Sequence, residues 1–179
     1  MKKLLTIMLL LVASVATGLA QIDTSKEYRI KNSDGTYMNV KNHNWATGSC
    51  GGVNVAAGNN SDSQTFTFVQ SGDGYKLKCK DGYYIKCHEW NVNASTTNES
   101  EASVLLFEET SGELQYLIKW VNTYKKNQTL YFKVGPDSNG AGNHPYGDAS
   151  RENAATWTLV PVGVRVSVLG TTNAAAGVV

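Results

Sequence analysis

The sequence predicts an all-β domain assembled from three like repeats, and three observations carry that prediction. First, a tyrosine-led strand, a turn and a second aromatic strand occur three times. They are Tyr28-Arg-Ile-Lys-Asn32 with Thr36-Tyr-Met-Asn-Val40, Tyr75-Lys-Leu-Lys-Cys79 with Tyr83-Tyr-Ile-Lys-Cys87, and Tyr116-Leu-Ile-Lys-Trp120 with Leu130-Tyr-Phe-Lys-Val134. Second, each pair is followed by a polar loop and a closing strand of alternating large apolar residues: Phe66-Thr-Phe68, Leu105-Leu-Phe107 and Trp157-Thr-Leu159. Third, the leading tyrosines recur at intervals of 47 and 41 residues, the range in which self-similarity dictates architecture.

Taken in order, the elements are short antiparallel strands. Period-two alternation, frequent Tyr, Val, Thr and Phe, and the turn pairs Asp34-Gly35, Asp73-Gly74 and Asp81-Gly82 all favour them. No stretch beyond residue 20 carries a helical period. At about four strands per repeat, three units suit a β-trefoil, a six-stranded barrel capped by three hairpins. One unit cannot bury its apolar face alone, and threefold closure removes the sheet edges. The domain is expected over residues 24–161, with repeats of about 24–71, 72–112 and 113–161.

The expected core follows from the alignment. Repeat 1 supplies Tyr28, Ile30, Met38, Val40, Phe66 and Phe68; repeat 2 supplies Leu77, Ile85, Cys87, Leu105 and Phe107; repeat 3 supplies Ile118, Phe132, Val134, Trp157 and Leu159. Ile30, Ile85 and Phe132 are expected at related places about a common centre. The loops at about Lys41–Ser63, His88–Ala102 and Gly135–Ala154 are polar and glycine-rich, and variable loops on a rigid scaffold are where function usually lies.

Residues 1–20 read as a signal peptide: Lys2 and Lys3, an apolar run from Leu4 to Ala16, and small residues ending at Ala20, after which cleavage is expected. The mature chain is therefore expected to be secreted or periplasmic, without membrane insertion. Loss of Lys2 and Lys3 moves the formal charge from +1 to −1. The absence of a basic stripe argues against nucleic acid as a partner. Residues 162–179 read as a flexible tail or the start of a further module.

The three cysteines do not read as a framework of bridges. A three-residue loop Lys80-Asp81-Gly82 places Gly82 in the left-handed position and sets Cys79 opposite Tyr83, Leu77 opposite Ile85 and Tyr75 opposite Cys87. This register puts every large apolar residue on one face. Cys79 and Cys87 are then separated by roughly 13 Å of strand, beyond disulfide reach, and both are expected to be buried; Cys50 is expected free in a glycine-rich loop.

The run Tyr28-Arg-Ile-Lys-Asn-Ser-Asp-Gly-Thr-Tyr-Met-Asn-Val40, followed by Val53-Asn-Val-Ala-Ala-Gly-Asn-Asn-Ser-Asp-Ser-Gln-Thr-Phe66, resembles the first repeat of ricin B-type β-trefoil lectin modules of secreted bacterial proteins. Gln64-Thr-Phe66 stands where that family has Gln-x-Trp; repeat 3 keeps Trp157 with Ala155 in place of the glutamine, and repeat 2 has Ser103-Val-Leu105. The resemblance covers about residues 25–161 and implies a carbohydrate site built from a second-strand acid, a stacking aromatic and a polar residue near the glutamine. The matching second-strand positions are Asn39, Lys86 and Lys133, none of them acidic, and the stacking position of repeat 1 is Ala56. Asn39, Asn54 and Gln64 form the best-preserved set.

Each repeat also holds one histidine followed by an aromatic: His43-Asn-Trp45, His88-Glu-Trp90 and His144-Pro-Tyr146. Rings suit the C–H faces of sugars, and imidazoles offer directional partners to hydroxyls. The carbohydrate-binding candidates are thus Asn39, Trp45, Asn54, Gln64, His88, Trp90 and Tyr146. The series Asp137, Asn139, Ala141, Gly142 with Asp148 in twelfth place partly mimics a calcium loop, but Ala141 replaces a ligand and no helices flank it. No catalytic residue, metal or cofactor is expected, since no nucleophile elbow, metal motif or phosphate loop occurs.

The sequence therefore favours a secreted, non-catalytic glycan- or polysaccharide-binding module. The alternatives are a protein-binding trefoil such as a protease inhibitor, suggested by the loop with Pro136, Pro145 and Arg151, and a structural appendage of a larger secreted hydrolase.

Overall fold

The computed structural model describes residues 21–40, 52–124, 126–136 and 143–163. The signal segment, His43, Trp45, Cys50, most of the calcium-like series and the tail from residue 164 lie outside the described residues.

Among the described residues, twelve strands follow one another: β1 (Tyr28–Asn32), β2 (Tyr37–Val40), β3 (Val53–Ala56), β4 (Phe66–Ser71), β5 (Gly74–Cys79), β6 (Tyr84–His88), β7 (Asn91–Thr96), β8 (Leu106–Glu109), β9 (Gln115–Asn122), β10 (Gln128–Pro136), β11 (Asn143–Asp148) and β12 (Thr156–Pro161). Short 3-10 turns at Asp62–Gln64, Glu99–Glu101 and Arg151–Asn153 precede β4, β8 and β12. Each of the three expected polar loops thus contains its repeat's third strand and one such turn.

Six strands close into a barrel through antiparallel pairings β1–β4, β4–β5, β8–β9, β9–β12 and β12–β1, with a bridge between Tyr75 and Leu105 joining the β5 and β8 segments. The register is threefold. Tyr28 pairs with Phe66, Tyr75 with Leu105 and Tyr116 with Trp157 within the repeats. Between repeats, Ile30 pairs with Leu159, Leu77 with Phe68 and Ile118 with Phe107. The hairpins β2–β3, β6–β7 and β10–β11 hang from β1, β5 and β9 at equivalent pairs: Lys31 with Tyr37, Lys78 with Tyr84 and Lys119 with Tyr131. Their outer strands converge, since β11 pairs with β7 and packs against β3. This is the β-trefoil arrangement. Met38, Ile85 and Phe132 are the related trio, all fully buried; Ile30 belongs instead with Leu77 and Ile118, a correction to the expected grouping.

Every residue expected in the core is buried but one, and Trp120, Leu130, Tyr75, Tyr116, Val53 and Val92 join them. Val134 is half-buried, because β10 runs past the barrel there and pairs only with β11, opposite Pro145. Inside, Phe68 and Phe107 lie 5.3 Å apart, centroid to centroid. Tyr28 meets Phe68 at 5.4 Å, Tyr75 meets both phenylalanines at 5.7 and 6.0 Å, and Tyr116 meets Phe107 at 5.8 Å, all edge to face. Edge-to-face rings gain about 0.5–1.5 kcal/mol beyond their buried area. The segment before β1 closes this layer: Ile22 is buried and its N–H donates to the Tyr75 hydroxyl at 2.9 Å. Burial pushes the Tyr28 and Tyr116 phenols above their ordinary range.

The β5–β6 hairpin has the predicted register. Gly82 has φ +95°, its N–H donates to Cys79 O at 2.8 Å, and Cys79 N–H donates to Tyr83 O at 2.7 Å. Cys79 and Cys87 are buried and unbonded; burial raises both thiols, Cys87 the more, which keeps them un-nucleophilic.

The β5–β8 seam rests on two bonds between Tyr75 and Leu105, of 2.9 and 2.8 Å, and Gly74 lets the strands approach. A Cβ at residue 74 would lie 2.5 Å from Leu105 O and 2.8 Å from Val104 Cγ1. Gly74→Ala is expected to cost about 2–3 kcal/mol through backbone displacement, read as a lowered urea midpoint. An unchanged midpoint would show that this seam does not bear on closure.

Candidate functional site

The fourth residue of each second-strand run, Asn39, Lys86 or Lys133, lies beside its repeat's third strand and 3-10 turn. In repeat 1, Asn39 Nδ2 donates to Asn54 Oδ1 at 2.8 Å across the β2–β3 pair, and Ser63 Oγ donates to Asn39 Oδ1 at 2.8 Å. Asn39 is buried, so both ends of its amide are engaged within the protein. Gln64 is fully buried: its Oε1 accepts Asn59 N–H at 3.0 Å and its Nε2 donates to Ala57 O at 2.9 Å. Gln64 therefore props the loop after β3 and offers a ligand no surface, which corrects its expected role in sugar contact.

In repeat 2 the pattern becomes an ion pair. Lys86 Nζ lies 2.8 Å from Glu101 Oε2, and the hydrogen bond from Lys86 holds the Glu101 carboxyl below its usual range. No aromatic ring faces Lys86 across the hairpin, where its partner is Ala94.

Repeat 3 adds a ring. Tyr146 stands directly opposite Lys133 across β10–β11, with the ammonium 5.8 Å from the ring centroid. Two residues on, and so on the same face of β11, Asp148 Oδ2 accepts from Lys133 Nζ at 3.4 Å and from Asn153 Nδ2 at 3.2 Å. Asp148 Oδ1 accepts Ser150 N–H at 2.8 Å. That backbone bond, helped by Lys133 and Asn153, holds the Asp148 carboxyl below its usual range, while the bond to Asp148 raises Lys133. The Lys133 and Asp148 side chains are 35% and 21% exposed. The result is a shallow patch with a ring, an ammonium, a carboxylate and an amide.

Of the remaining candidates, His88 and Trp90 flank the tight β6–β7 turn, where His88 pairs with Asn91 and Glu89 adopts φ +50°. The His88 ring lies 4.6 Å from that of Tyr124. Trp90 is 39% exposed, and its carbonyl accepts Gly147 N–H at 2.5 Å. Tyr146 itself pairs with Asn91, so the turn that carries Trp90 adjoins β11 next to Tyr146, whereas Asn39 and Asn54 belong to another repeat. The six described candidates thus do not form one site, and Trp45 lies outside the described residues. Arg151, the residue expected on an inhibitory loop, has its guanidinium on Glu108 at 2.6 and 2.7 Å, and Pro145 is buried within β11. Among the described residues, no group of three or more His, Cys, Asp or Glu side chains could hold a metal ion.

Sequence reasoning missed Asp148 and Asn153 as site residues. The signal for Asp148 was present, since Tyr146 and Asp148 are two apart and share a face of any strand; the Pro and Gly between Asn143 and Asp148 made the segment read as a loop.

No family model and no curated protein matches the chain. Among solved structures it is similar to the crystal structure of a designed threefold-symmetric protein, ThreeFoil, at TM-score 0.49 and 19% identity over 77% of this chain and 99% of that one. It is also similar to a Macrolepiota procera ricin B-like lectin in complex with lactose, at TM-score 0.47 and 16% identity over 79% of this chain and 99% of that one.

Proposed function

We propose that this chain is a secreted, non-catalytic glycan-binding module whose working site is the repeat 3 patch of Lys133, Tyr146, Asp148 and Asn153. One observation carries the reading: among the described residues, this is the second-strand site at which a facing aromatic ring, an ammonium, a carboxylate and a side-chain amide adjoin one another. A sugar needs both, a flat apolar surface for its C–H face and fixed polar groups for its hydroxyls. The Asp148 carboxylate already gathers two side-chain donors, so a vicinal diol bridging Asp148 and Asn153 would exchange weak contacts for comparable ones. One shallow site binds weakly, and repetition of the module or of its glycan supplies avidity.

The engaged guanidinium of Arg151 and the burial of Pro145 weigh against an inhibitory loop. A glycan array of host, plant and microbial polysaccharides, followed by calorimetry on the best hit, tests the proposal. Tyr146→Ala is expected to weaken binding at least tenfold and Asp148→Asn severalfold, with Tyr146→Phe close to wild type. A blank array, or a Tyr146→Ala variant that binds like wild type, rejects the assignment.

A further inference from the structure

We propose a second ligand site, in the cleft between repeats 2 and 3 beside Tyr124, that takes the apolar face of a neutral sugar ring. This extends the glycan-binding reading to a separate place and rests on it for ligand class only. Five large apolar side chains are exposed among the described residues, and three of them, Val104, Val121 and Tyr124, line this one cleft of about 320 Å³. Single exposed apolar residues are ordinary on a protein surface, whereas a cluster around a concavity marks a binding site.

The cleft has a built frame. Asn122 is buried; its Nδ2 donates to Glu89 O at 2.7 Å and its Oδ1 accepts Tyr124 N–H at 3.0 Å. One amide thus ties the turn after β9 to the turn after β6 and fixes the backbone that carries Tyr124. The His88 ring, 4.6 Å away at 53°, supports the tyrosine ring, which nevertheless remains 62% exposed. A ring so anchored and yet exposed is a platform with little ordering entropy left to lose on binding.

The lining selects the ligand. Among the described residues, every side chain bordering the cleft is uncharged, in contrast to the lysine and carboxylate pairs at Lys86 and Lys133. An ionic ligand would lose hydration there without a counter-charge. The Ser103 and Thr123 hydroxyls offer polar partners beside Val104, Leu106 and Val121, a mixture that suits a sugar better than an aliphatic chain. The volume fits one or two sugar rings and excludes a protein loop.

Methyl- and amide-resolved NMR titration of the whole protein provides the test, with methyl β-D-glucopyranoside and methyl β-D-galactopyranoside as probes, methyl β-D-glucuronide as the anionic control and p-cresol as the aromatic one. A neutral glycoside is expected to shift the Val104 and Val121 methyls, with the glucuronide at least fivefold weaker. Tyr124→Ala is expected to weaken the cleft response at least tenfold, leaving the Ile30 and Ile118 core methyls in place and any response at Tyr146 intact; Tyr124→Phe should retain it. Silence at Val104 and Val121 with every glycoside overturns the proposal, as does a response that survives Tyr124→Ala or binding of p-cresol alone. Shifts confined to Tyr146 remove the cleft and spare the repeat 3 site, and shifts confined to the cleft do the reverse.

Discussion

Phe107→Ala is expected to cost about 4 kcal/mol, the middle of the range for emptying a buried phenylalanine site, or roughly 8–16 °C in Tm for a domain of this size. Phe107 is almost fully buried and makes edge-to-face contacts with Phe68, Tyr75 and Tyr116 at 5.3, 6.0 and 5.8 Å. Its partners come from repeats 1, 2 and 3, so the cavity would open where all three meet and no single repeat could collapse to fill it. Phe107→Leu provides the control. Leu159 already occupies the equivalent place in repeat 3, opposite Ile30 as Phe107 is opposite Ile118. The leucine variant is expected to lose about 1 kcal/mol. Thermal and urea unfolding measure both, and a loss below about 1 kcal/mol for the alanine variant would mean that the repeats do not share one interior.

Glu108→Gln is the second large effect, and it is conditional on pH. Glu108 on β8 lies 2.7 Å from Lys119 Nζ on β9 and 2.6 Å from Arg151 Nη2 on the turn before β12; Lys119 also lies 5.5 Å from the Tyr131 ring centroid. Burial pushes the Glu108 carboxyl upward, but the hydrogen bonds from Lys119 and Arg151 outweigh it, and its pKa is lowered overall. A carboxyl bound more tightly as the anion in the folded state stabilises fully above its unfolded pKa of about 4.3. That contribution fades as the pH falls through the lower folded value. Glutamine keeps the shape without the charge, and the loss at pH 7 is expected to be about 1–3 kcal/mol. The gap between wild type and variant should narrow steadily below pH about 4. A gap unchanged from pH 7 to pH 2 would assign the effect to packing rather than charge.

How much was legible depends on which interactions decide each feature. Gly82 and the alternation of Leu77, Cys79, Tyr83 and Ile85 determine the β5–β6 register locally, and the structure has that register to the residue. The threefold core was legible because apolar periodicity survives in all three repeats even where Phe68 and Phe107 give way to Leu159. The strand β11 was hidden because Asn143-His-Pro-Tyr-Gly-Asp148 is full of strand breakers and is held by pairing with β10 and β7, a tertiary context that overrides propensity. With the strand hidden, the alignment of Tyr146 and Asp148 on one face was hidden too. Gln64 misled for a different reason: composition says that an amide is present but not that backbone groups of residues 57 and 59 already occupy it.

The pairing of β1 with β12 along five residue pairs, from Tyr28 with Pro161 to Asn32 with Trp157, has a consequence for biogenesis. A chain emerging from the ribosome presents β1 early and cannot cover its unpaired flank until residues 156–161 have been made. Through most of synthesis the nascent protein therefore carries an adhesive strand with a row of unmet amides. Lys31 sits within that strand, a charge of the kind that discourages a neighbouring polypeptide from docking before the proper final strand arrives.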